Sequence, residues 1–60
     1  MLVKFKEMSV YGKILIYPNN ELAVKFANLL GKKTFHYSDI FNISELGFKT
    51  EIDKINAFNY

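Results

Sequence analysis

The chain has 60 residues, half of them hydrophobic and ten of them aromatic (six Phe and four Tyr), with eight basic and six acidic residues for a net charge of +2. It has no cysteine, and His36 is its single histidine, so neither a disulfide nor a cysteine–histidine metal site is available as a staple. A single domain of this size buries only roughly 60% of the surface its unfolded chain exposes, so packing must do the stabilising, and this much apolar material predicts a surface given over to a partner or a second copy.

In chain order, Leu2 to Phe5 and Val10 to Tyr17 are rich in β-branched, aromatic and aliphatic residues and read as strands. Gly12 interrupts the second, which leaves two layouts: a hairpin turning near Glu7 to Ser9 or near Gly12, or one long strand bulged at Gly12. The hairpin is preferred. Ile14-Leu15-Ile16-Tyr17 is apolar throughout, as a strand covered on at least one face would be. Pro18 cannot donate to a ladder, and Asn19-Asn20 then offers caps for a helix. Leu22, Ala23, Phe26, Ala27 and Leu30 share one helical face, Glu21 sits in the first turn, and Gly31 ends the helix in a left-handed conformation.

Thr34 to Tyr37 read as an aromatic-bearing connection, after which Ser38 or Thr34 caps a shorter helix with Asp39 in its first turn. Ile40, Phe41, Ile43 and Leu46 are its expected buried side. Gly47 and Phe48 mark its close, and Phe48 to Ile52 read as a half-exposed strand. From Asp53 onward the tail turns helical, continues as an edge strand or frays. The expected fold is one α+β domain, residues 1–60, in the order β-β-α-α-β: an antiparallel sheet of about three strands with two short helices on one face.

Few residues suggest chemistry. His36 lies between Phe35 and Tyr37 and reads as the polar member of an aromatic patch, since no second titratable group at a motif-like spacing supports an acid–base role. Glu45, Glu51 and Asp53 read as surface acids. Gly31-Lys32-Lys33-Thr34 lacks the first glycine of a phosphate-binding loop and follows a helix instead of preceding one. Neither an enzyme, a cofactor nor a metal is expected. All eight basic residues are lysines, and without arginine the chain is poorly equipped to read base edges. A helix-turn-helix built on Phe26-Ala27, Leu30-Gly31 and Ile40 would have a long connection and would carry Asp39 and Glu45 toward DNA, so nucleic-acid binding is the second expectation. Lys4 and Lys6 break the N-terminal apolar stretch, which therefore reads as neither a signal sequence nor a membrane span.

The run Tyr17-Pro18-Asn19-Asn20-Glu21-Leu22-Ala23, then Phe26-Ala27, Gly31-Lys32-Lys33-Thr34-Phe35, Asp39-Ile40 and Leu46-Gly47-Phe48, resembles a pattern found in small bacteriophage accessory proteins. The likeness covers roughly Gly12 to Glu51, and most of its positions are ones that any strand–helix–helix–strand unit needs. It implies a product that binds and disables a host protein in the host cytoplasm, with components of antiviral defence among the targets. A virion assembly role is the third expectation. Consecutive aromatic side chains in an irregular segment cannot all enter one small core, so Phe35, His36 and Tyr37, with Phe58 and Tyr60 of the tail, are the candidate interface. The exposed helix positions Val24, Lys25 and Asn28 are the alternative.

Overall fold

The computed structural model describes residues 1–55, in the order β1 (Leu2–Val10), β2 (Lys13–Pro18), α1 (Glu21–Leu30), α2 (Tyr37–Glu45) and β3 (Lys49–Ile55). The strands form one sheet in the order β2-β1-β3. Val3, Phe5 and Ile16 are all buried, and the pairing of Glu7 with Ile16 puts them on one face of the pleat. Both helices cover that face. The class, the element order and the one-sided layering are as the sequence predicts.

β1 and β2 form a hairpin through the two-residue turn Tyr11-Gly12, with Val10 opposite Lys13. Both turn residues have positive φ, 50° for Tyr11 and 79° for Gly12. That combination defines the turn whose twist matches the flanking strands. It decides between the open layouts: a hairpin at Gly12, with β1 running on through Glu7 to Ser9.

The sheet is mixed where an antiparallel one was expected, because β3 pairs with β1 in parallel, Leu2 opposite Lys49 and Phe5 opposite Ile52. Chain geometry explains the difference. β2 ends at Pro18 opposite Phe5, and α1 begins beside Leu2, so the chain leaves the sheet at the end where β1 starts. The helix pair carries it out and back to that end, where the Lys49 N–H donates to the Met1 carbonyl. A strand that starts there and lies on the free side of β1 must run in the same direction as β1.

Asn20 fixes the start of α1. Its Oδ1 accepts from the Ala23 N–H at 2.9 Å, which caps the helix, and from the Lys4 N–H at 3.2 Å, while its Nδ2 donates to the Leu2 carbonyl at 2.8 Å. Beyond Pro18 the Asn19 N–H still donates to the Lys4 carbonyl at 2.8 Å, and the Asn20 side-chain amide carries that ladder on to Leu2. Ala23 and Ala27, both buried, present so little bulk that α1 lies close on Val3, Phe5 and Ile16. Gly31 closes α1 at φ 69°, as expected.

α2 departs from expectation at its start and in which side chains it buries, while its close, C-cap Leu46 followed by Gly47 at φ 103°, is as expected. Its N-cap is His36 and neither Thr34 nor Ser38; the Asp39 carboxylate reaches back to accept from the His36 N–H at 2.9 Å. The cap falls there because Phe35 is already committed to the core: its N–H donates to the Ile16 carbonyl at 2.8 Å, and its ring meets Phe5 edge-on with centroids 4.9 Å apart. The connection is thus shorter than predicted, and Tyr37 opens the helix. Ile40 and Ile43 are buried, but Phe41 and Leu46 are 63% and 70% exposed. A single sheet contact covers a narrow arc of a helix, and these two side chains fall outside it.

Candidate functional site

A concave apolar surface lies between the outer flanks of α1 and α2. A groove of about 170 Å³ runs between Phe26, Leu29 and Leu30 on one side and Asp39, Asn42, Ile43 and Leu46 on the other. A second hollow of about 140 Å³ adjoins it on α1, formed by Leu22, Lys25, Phe26 and Leu29. Phe26 and Leu29 belong to both. Leu22 and Phe26 pack against the core and form the floor, and the Phe26 ring stands edge-on to Phe48 with centroids 5.3 Å apart. Leu29, 78% exposed, and Leu46 form rims.

The groove's shape is set by how α2 is held. Lys32, just beyond α1, donates from Nζ to Asp39 Oδ2 at 2.7 Å, and the same oxygen accepts from the His36 N–H. These bonds, Lys32 first, hold the Asp39 carboxyl below the usual carboxylate range, while its partial burial acts in the opposite direction. His36 Nδ1 lies 3.6 Å from the same oxygen and adds a weaker attraction when protonated. At the start of α2, the Tyr37 hydroxyl donates to Glu7 Oε1 on β1, and that bond pushes the phenol above its ordinary value. Asp39 is therefore turned toward Lys32 and is not offered on the outer face of α2.

The candidate interface residues separate. Phe35 is 4% exposed and belongs to the core; His36 and Tyr37 are exposed. Phe58 and Tyr60 lie outside the described residues. At about 100° per residue, Tyr37 and Phe41 project from the side of α2 away from Asp39, Asn42, Ile43 and Leu46, so His36 and Tyr37 do not line the groove. Val24, Lys25 and Asn28 are all exposed, and Lys25 belongs to the α1 hollow.

The sequence reading missed Leu29 and mistook the place of Leu46. Leu29 carries a signal: it widens the apolar stripe of α1 beyond the arc that Ala23 and Ala27 bury. Leu46 carries none, since an apolar residue in the last turn of a helix reads the same whether the neighbouring surface is covered or bare. Among the described residues, no three His, Cys, Asp or Glu side chains gather where they could hold a metal ion. No helix among them is long and apolar enough to cross a membrane. Neither the family models, the curated proteins nor the solved structures include a match to this chain.

Proposed function

We propose that the domain works by binding another protein, and that it does so as an inhibitor that covers a working surface of its target. The observation that carries this reading is the α1–α2 groove: Leu29 and Leu46 stand mostly exposed over a floor of packed aromatic and aliphatic side chains. Large apolar side chains left in water on a chain this small are costly for solubility and give a docked partner its main source of energy. The likeness to bacteriophage accessory proteins supports a host protein as the target, with the host cytoplasm as the setting.

The test is retention from a bacterial lysate by the tagged domain, with the Leu29→Ser/Leu46→Ser variant beside it. Both side chains are exposed, so the variant should melt within a few degrees of the parent. The parent should retain one protein in stoichiometric amount and the variant should lose it. Recovery of nucleic acid without such a protein, together with a duplex shift that weakens steeply with salt, would replace this reading with the nucleic-acid one.

A further inference from the structure

We infer that the groove receives an amphipathic helix whose apolar stripe is flanked by acidic residues. This inference rests on the protein-binding reading and specifies its occupant. The α1 hollow is formed by Leu22, Lys25, Phe26 and Leu29, the i, i+3, i+4, i+7 positions of one helix. Four residues at that spacing make the diamond-shaped hole that accepts one side-chain knob from a facing helix. The α2 wall of the neighbouring groove repeats the spacing with Asp39, Asn42, Ile43 and Leu46. Two adjoining holes that share Phe26 and Leu29 suit two knobs one turn apart on a single helix.

Charge selects between occupants. Lys25 forms one wall of the first hole, and among the described residues no carboxylate lies within ion-pair distance of it, Glu21 one turn upstream included. The one acid of the second hole, Asp39, is already met by Lys32 at 2.7 Å. Among the charged side chains that line the two hollows, Lys25 is therefore the one that no described residue meets, while Asp39 is neutralised from outside the groove by Lys32. A second copy carries the same net charge of +2, and the one acid lining its own groove, Asp39, is committed to Lys32, so its matching surface has no free carboxylate to set against Lys25. An acidic flank meets Lys25 with opposite charge, which favours encounter and rejects basic competitors.

The test uses a bead library of helical peptides about 14 residues long, with Leu at i, i+3, i+4 and i+7 and the flanking positions randomised among Glu, Gln and Lys. The fluorescently labelled domain is the probe. Glu should be enriched at the flanks, and a selected peptide should bind about tenfold more tightly than its Lys-flanked counterpart. Lys25→Glu, a change at an exposed site, should remove or invert that preference, and amide shifts in the bound domain should centre on Leu29 and Leu46. Flanks that are neutral or basic, or a preference indifferent to Lys25→Glu, would overturn the inference. So would a dimer in sedimentation equilibrium that Leu29→Ser dissociates, which would make a second copy the occupant. If no peptide is enriched while the lysate partner is still retained and still lost by Leu29→Ser/Leu46→Ser, the helical occupant is wrong and the protein-binding reading stands.

Discussion

Lys32 and Asp39 meet at 2.7 Å across the connection between α1 and α2, and the same Asp39 oxygen holds the N–H of His36 that begins α2. One carboxylate thus ties the end of the first helix to the start of the second. Because its folded pKa lies below its unfolded value, the stability it contributes is present above the ordinary carboxylate range and is lost as pH falls through the folded value. Asp39→Asn should lower stability at neutral pH by on the order of 1 kcal/mol and flatten the acid limb of the stability–pH curve. Urea unfolding from pH 7 down to pH 2 checks both; an acid limb as steep as the parent's would show that other carboxylates govern it.

Tyr37 behaves in the opposite sense. Its hydrogen bond to Glu7 raises the phenol's pKa, so the contact stabilises below the ordinary tyrosine value and is lost as pH rises through the folded one. In an alkaline titration followed by tyrosinate absorbance, the component that disappears in Tyr37→Phe should be late, and Glu7→Gln should bring it earlier. A Tyr37 component that titrates like an ordinary tyrosine would contradict the contact.

The aromatic run Phe35-His36-Tyr37 should divide on mutation. Phe35→Ala empties a buried site against Phe5 and should cost about 3–5 kcal/mol, enough to leave a domain of this size largely unfolded. His36→Ala and Tyr37→Ala should each shift the melting temperature by only a few degrees. Calorimetry that found the three equally damaging would place Tyr37 in the core.

At the hairpin, Tyr11 is 95% exposed and holds φ 50°, a conformation that asparagine tolerates better than a bulky aromatic. Tyr11→Asn should therefore raise stability by about 0.5–1 kcal/mol, since the exposed ring gives up little packing when it is removed. Gly12→Ala, at φ 79°, should lower it by about 1 kcal/mol even though an added Cβ would meet nothing within 4 Å. Denaturant midpoints measure both, and a destabilised Tyr11→Asn would mean that the ring packs in solution.

Asn19 and Asn20 look equivalent in the sequence and are not equivalent in the fold. Asn20→Ala removes three hydrogen bonds, two that join the start of α1 to β1 and one that caps α1, and should cost about 2 kcal/mol. Asn19→Ala gives up only an exposed bond to Asp53 at 3.4 Å and should cost a few tenths. Asn20→Asp should fall between, because it keeps the acceptor for Ala23 and loses the donor to Leu2. Equal melting temperatures for the two alanine variants would refute the ladder role of Asn20.

The five elements and their punctuation were legible in the sequence because each rests on local chemistry. Pro18 stops a ladder, Asn20 caps, Gly31 and Gly47 take positive φ at 69° and 103°, and the 3.6-residue spacing of Ala23 and Ala27 marks the face that meets the sheet. What the tertiary structure decided depends on which surfaces meet. β3 runs parallel to β1 because the helix pair returns the chain to the end it left. Phe35 enters the core and Tyr37 does not because the Ile16 backbone captures one of two aromatics that flank His36. Phe41 and Leu46 are exposed, and Leu29 with Leu46 forms a groove, because two short helices on a three-stranded sheet bury only part of their apolar arcs. Periodicity records that an arc is apolar; only packing determines how much of it is covered.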